Sequence, residues 1–205
     1  MKKDSKNKNL YKYLIGIDEV GRGPIAGPVA VGAFVYLKPE AKKYFHGVKE
    51  SKQLTEEKRE IWFGKIKKAK QDGLIDFAVS FQNEKIIDKK GISFAIKKAL
   101  ATSVSVFKIK PEEVMILLDG GLRAPAEYTN QKTIIKGDVK EQVIALASIC
   151  AKVMRDRKMI VWSKKYTKYG FDKNKGYGTS QHYEAIRKYG LIDLHRRSFL
   201  QKSLI

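Results

Sequence analysis

The sequence predicts an α/β domain. Three observations carry that expectation: short apolar or alternating runs bounded by glycine, proline or charge, amphipathic stretches of helical period, and an order in which strands come first and then alternate with helices. With 205 residues the chain is long enough for one well-buried core and short for two. The prolines sit at scattered turns, and neither a repeat nor a linker breaks the chain.

The chain opens on the basic stretch 1–9, whose following apolar residues are interrupted by Tyr11, Lys12 and Tyr13; a loose tail is expected over 1–12 and a single domain over 13–205. Residues 14–18 and 29–37 read as strands that pair in a hairpin, and 75–81, 114–119 and 133–135 as further strands. Thr55 has the form of an N-cap, with Glu56 and Glu57 in the first turn and Ile61, Trp62, Ile66 and Ala69 on the apolar side of the helix that follows. A second helix is expected over 92–108, with Phe94, Ala95, Ala99, Val104 and Phe107 inward. The longest begins after Asp138 and carries Val143, Ile144, Ala147, Ala151 and Met154.

Lys and Arg number 42 against 22 Asp and Glu, a net charge of +20 that fits a protein meeting a polyanion, nucleic acid first. Lysine-rich composition alone is also compatible with plain solubility. No apolar run is long enough for a bilayer, so no membrane span is expected. Cys150 is the single cysteine, within an apolar stretch; an inert buried thiol in a reducing, cytoplasmic setting is the expectation.

In so basic a chain the adjacent acids Asp18 and Glu19 stand out, at the end of Leu14-Ile15-Gly16-Ile17. Asp119 closes a second apolar run, and Asp138 follows Ile134-Ile135-Lys136-Gly137. Ends of neighbouring strands converge in space, so four carboxylates can face one small volume. Hard oxygen ligands in that number suit Mg²⁺ or Mn²⁺, and two such ions about 4 Å apart can activate water and stabilise a leaving oxygen at a phosphodiester. Plainer readings stand beside this one. Asp138 with Glu141 resembles a capping box, Asp119 before two glycines reads as a turn aspartate, and Asp156 between two arginines reads as a salt-bridged helix residue.

Gly21-Arg22-Gly23 is either a tight turn or a backbone surface that lets a nucleic acid strand come close. Ser51 and Lys52 precede a helix or meet a phosphate, and Tyr177, in Lys175-Gly176-Tyr177-Gly178-Thr179, packs on the surface or offers its ring to a sugar or base. A non-catalytic RNA-binding protein would explain the charge and leave the acids unexplained. A P-loop-type nucleotide-binding protein would explain a Gly-rich loop but ranks last, because Gly-x-x-x-x-Gly-Lys-Ser/Thr is absent.

Taken in order, these segments resemble ribonuclease HII. The likeness runs from Leu14 to Phe199 through Gly16-Ile17-Asp18-Glu19-Val20-Gly21-Arg22-Gly23-Pro24, Ser51-Lys52-Gln53-Leu54-Thr55, Leu118-Asp119-Gly120, Lys136-Gly137-Asp138, Ala147-Ser148-Ile149-Cys150-Ala151-Lys152, Lys175-Gly176-Tyr177-Gly178-Thr179 and His195-Arg196-Arg197-Ser198-Phe199. The resemblance implies a ribonuclease H-like fold, a central mixed sheet flanked by helices with a helical C-terminal region. It implies cleavage of the RNA strand of RNA–DNA hybrids and of single ribonucleotides in duplex DNA, hence roles in ribonucleotide excision repair and replication. By the same resemblance Asp18, Glu19, Asp119 and Asp138 are the catalytic metal site for Mg²⁺ or Mn²⁺, with Asp156 structural. Gly21, Arg22 and Gly23 contact the RNA-to-DNA junction, Tyr177 reads it, and Ser51, Lys52, Ser148 and Lys152 are candidate phosphate contacts. A monomer is expected, with residues 201–205 as the candidate contact to a sliding clamp.

Overall fold

The structure, a computed structural model, describes residues 11–200. The first ten residues of the expected tail and the candidate clamp contact at 201–205 lie outside the described residues. Five strands form one mixed sheet in the order β3-β2-β1-β4-β5. Strand β1 (Tyr13–Val20) pairs antiparallel with β2 (Val29–Tyr36), the expected hairpin, from Leu14 opposite Tyr36 to Val20 opposite Ala30. Strand β3 (Ile75–Gln82) extends the meander, while β4 (Val114–Asp119) lies parallel to β1 and β5 (Gln131–Ile134) parallel to β4. Parallel neighbours end at the same rim, and that is what gathers the acids.

Eight helices accompany the sheet in the described residues: α1 (Ala41–Tyr44), α2 (Glu56–Gln71), α3 (Glu84–Lys90), α4 (Ile92–Ser105), α5 (Gly137–Lys140), α6 (Gln142–Lys165), α7 (Phe171–Asn174) and α8 (Ser180–Tyr189). Alternation along each strand divides the core in two. Ile15, Ile17, Val31, Val35, Ile116 and Leu118 meet Ala95, Ala99 and Leu100 of α4 on one face. Phe34 and Leu117 meet Phe63 and Ile66 of α2 and Val143 and Ala147 of α6 on the other. A third cluster, Ile25, Met159, Tyr169, Phe171, Ile186 and Leu194, ties the helical C-terminal region to the loop between β1 and β2.

Helix α6 lies on the sheet without a layer of side chains between at two points. A Cβ on Gly16 would come within 2.3 Å of the Val143 backbone, and one on Gly32 within 2.3 Å of the Ala147 carbonyl oxygen. Only glycine permits that approach.

The helix-face expectations hold in part. Thr55 caps α2, accepting from the Lys58 N–H at 3.3 Å, but the buried side is Phe63, Ile66 and Ala69; Ile61 is exposed. In α4, Ala95, Ala99 and Val104 are buried and Phe94 is exposed, and the helix stops at Ser105. The long helix does not begin at Asp138. The chain makes the short turn α5, extends at Glu141 (φ −120°), and starts α6 at Gln142 with no side-chain cap, so the capping-box reading of Asp138 and Glu141 fails.

Candidate active site

The register places the acids. Ile17 of β1 pairs with Leu118 of β4, so Asp18 and Asp119 leave the sheet side by side, on the α6 face shared by Gly16 and Leu117. Asp119 pairs with Ile134 of β5, and the chain returns at once through Gly137, whose N–H donates to Asp119 Oδ1 at 2.6 Å. That bond sets α5, and with it Asp138, beside Asp119. Lys136 holds a left-handed conformation (φ 55°) to make the turn.

Asp18 is 5% exposed and Asp138 4%. Burial raises the Asp18 carboxyl to about 7, and Glu19, Asp119 and Asp138 add to the rise against a hydrogen bond from Ser148. Glu19 is also raised, first by burial, with Arg22 opposing; Arg22 Nη1 lies 3.4 Å from Glu19 Oε1. Lys52 Nζ approaches Asp138 Oδ2 at 3.4 Å from an exposed position. Among the described residues no three His, Cys, Asp or Glu side chains are drawn together as a finished metal cage. The donor set nonetheless fits a hard cation: four carboxylates repel one another around a buried Asp18, and Mg²⁺ usually binds through one or two carboxylates plus water and substrate phosphate.

The other expected contacts divide. Lys52, Arg22 and Gly23 are exposed beside the acids, and Tyr177 is 43% exposed. Ser51 and Ser148 are buried and share a hydrogen bond at 2.7 Å, and Ser148 is near enough to Asp18 to oppose the rise of its carboxyl. Lys152 Nζ lies 2.9 Å from Asp156 Oδ1, and burial lowers its pKa. Asp156 therefore has the structural ion pair expected of it, but with Lys152 and not with the flanking arginines. Arg157 pairs with Glu60, and Arg155 donates only to backbone carbonyls. An open cleft of about 500 Å³ flanks the acids, lined by Arg22, Lys97, Arg123 and Gly121.

Local residue reading missed Arg155, Arg196, His182 and His195 as parts of the site's frame. Arginines in a basic chain pass for surface charge, and only their burial shows otherwise.

The sequence profile of the family described as Ribonuclease HII matches residues 15–202. The chain belongs to the ribonuclease HII family. A ribonuclease HII of Endomicrobium trichonymphae is 44% identical over 193 residues, covering 94% of this chain and 87% of that protein. Among solved structures, the PCNA:RNase HII complex from Archaeoglobus fulgidus has a chain that aligns with a TM-score of 0.74 at 22% identity, covering 92% of this chain and 96% of that one. Bst-RNase HIII in complex with Mn²⁺ aligns at 0.67 and 20% identity, covering 96% and 70%. As a ribonuclease HII family member the chain is a type 2 ribonuclease H, a hydrolase acting on RNA–DNA hybrids with the ribonuclease H-like fold, and that family is divalent-metal dependent. This removes the non-catalytic RNA-binding reading. Among the described residues no helix is long and apolar enough to cross a membrane.

Proposed function

We propose that this protein cuts RNA–DNA hybrids and also single ribonucleotides embedded in duplex DNA, hydrolysing the phosphodiester on the 5′ side of a ribonucleotide. The convergence of Asp18, Glu19, Asp119 and Asp138 at one rim of the sheet, beside a Gly-Arg-Gly turn whose Arg22 and Gly23 are exposed, carries the reading. Water oxygen bonds to phosphorus while the bond from phosphorus to the upstream 3′ oxygen breaks, leaving a 5′-phosphate on the ribonucleotide and a 3′-hydroxyl upstream. Two divalent cations held by the four carboxylates would supply Lewis acidity to the phosphate and make water a better nucleophile near neutral pH.

The chain's own residues bind and orient. Ser148 favours the charged form of Asp18, the Gly137 N–H holds Asp119, and Lys52 and Arg22 would meet phosphate beside the acids. Backbone N–H groups of the 21–23 turn and the Tyr177 hydroxyl are suited to the 2′-hydroxyl that distinguishes RNA from DNA. One catalytic domain spans 13–205, acting as a monomer in the cytoplasm in ribonucleotide excision repair and replication. A sliding-clamp contact through residues 201–205 belongs to the same proposal, alongside the solved clamp complex of the Archaeoglobus fulgidus enzyme.

A labelled DNA duplex carrying one ribonucleotide, incubated with Mg²⁺, Mn²⁺ or EDTA, tests the reading. A metal-dependent cut on the 5′ side supports it; cutting confined to long RNA tracts rejects the embedded-ribonucleotide activity. Asp119→Asn should abolish cleavage and leave duplex binding largely intact, and near-normal turnover would overturn the acid assignment.

A further inference from the structure

The Gly21–Gly23 turn and the Tyr177 loop come from opposite ends of the chain, and two arginines join them. Both are fully buried. Arg196 donates through Nε to Gly27 O at 2.8 Å, through Nη1 to Arg22 O at 3.0 Å and through Nη2 to Gly21 O at 2.7 Å. Arg155 donates to Pro28 O at 2.9 Å, Lys175 O at 3.0 Å and Ala26 O at 3.4 Å. The loops also meet directly, because Gly176 O accepts from Ile25 N and Ala26 N at 2.9 and 3.1 Å. Gly21 (φ +88°) rests on the Arg155 side chain, where a Cβ would come within 2.1 Å of Nε.

Peptide geometry gives this frame a direction. A trans peptide sets each carbonyl opposite the following N–H. Drawing Gly21 O and Arg22 O inward therefore turns the N–H groups of Arg22 and Gly23 outward, and both residues are exposed. Among the described residues neither N–H has a protein partner. Among the described residues neither guanidinium forms a salt bridge; both are matched by backbone carbonyls of the segments they join.

We infer that Arg196, with Arg155 beside it, is a positioning residue for junction recognition: it fixes the outward N–H pair of Arg22 and Gly23 against the Tyr177 loop. The inference rests on the embedded-ribonucleotide activity proposed above. Along a continuous RNA strand every register offers a 2′-hydroxyl, so a displaced turn still finds one. A single ribonucleotide offers one productive register, and there the alignment decides the rate.

The test compares wild type, Arg196→Lys and Asp88→Asn on a duplex with one ribonucleotide and on a duplex with one all-RNA strand. Asp88 accepts from the backbone N–H groups of Arg197 and Ser198, so its replacement loosens the strap that carries Arg196 while sparing the buried guanidinium. Arg196→Lys should lower kcat on the single-ribonucleotide duplex about tenfold or more beyond its effect on the all-RNA strand, with KM little changed. Asp88→Asn should shift the ratio the same way by less. Equal losses on both substrates in folded Arg196→Lys protein, judged by circular dichroism and melting temperature, overturn the inference; if that variant does not fold, an unchanged ratio in Asp88→Asn does so. A wild type that ignores the single ribonucleotide overturns the underlying activity instead, whatever the variants do.

Discussion

His182 and His195 show how single side chains hold a loop. His182 Nδ1 donates to Tyr177 O at 2.8 Å, so its Nε2 accepts, and His195 Nε2 supplies that proton at 3.1 Å. His195 Nδ1 in turn accepts from Ile192 N at 2.9 Å. Every ring nitrogen has a role that only the neutral pair can fill. Burial accordingly lowers both, His195 to about 4 with His182 adding to the fall. The unfolded chain binds protons on these rings below about 6.5 while the folded one refuses them, so stability is present above that pH and is lost toward pH 4. His195→Gln should flatten the fall in denaturation midpoint between pH 6.5 and 4, measured against wild type at each pH. Parallel profiles would show that the pair does not titrate against folding. Asp18 and Glu19 stood out on their own as an adjacent acid pair ending an apolar run in a chain this basic, whereas Asp119 and Asp138 read locally as a turn and a cap and joined them only through the family resemblance. The histidines and buried arginines were not, since nothing in their neighbours says whether a carbonyl waits for them.

At the level of elements, strands were easier to read than helix faces. Period-two alternation marks a strand within a few residues, whereas a helix beside two apolar neighbours can be turned wrongly by one position, as Ile61 and Phe63 of α2 show. The break at Glu141 was equally hidden: Asp138 and Glu141 carry capping-box chemistry, and the tertiary bond from the Gly137 N–H to Asp119 overrode it. The seat of α6 has a stricter requirement. Gly32→Ala would press a methyl group against the Ala147 carbonyl, and overpacking of that kind costs about 1–3 kcal/mol. The melting temperature should fall by roughly 2–4 °C per kcal/mol, and cleavage should fall further than unfolding explains because Ser148 rides on the same turn as Ala147. Unchanged melting temperature and cleavage in Gly32→Ala would show that the helix can move aside.

For the whole molecule, charge and site oppose each other. A net charge of +20 favours association with duplex, while the proposed reaction would be confined to a cluster of carboxylates that would repel phosphate until cations neutralised it. Duplex affinity of Asp119→Asn protein should fall steeply with salt, with a log–log slope of about −0.9 per neutralised phosphate and at least several phosphates engaged. A slope near zero in filter or anisotropy titrations would mean that the charge serves solubility alone.

The strap at residues 195–196 also has a meaning in time. Ribosomes deliver a chain from its first residue at about 5–20 residues per second, so on the order of several seconds separate Asp138 from Arg196. During that interval the nascent chain already has all four acids but lacks the cation that draws in the Gly21 and Arg22 carbonyls. Under the role inferred for Arg196, recognition of a lone ribonucleotide is the last property to be synthesised, and a chain cut short before Arg196 would lose that activity ahead of cleavage along continuous RNA.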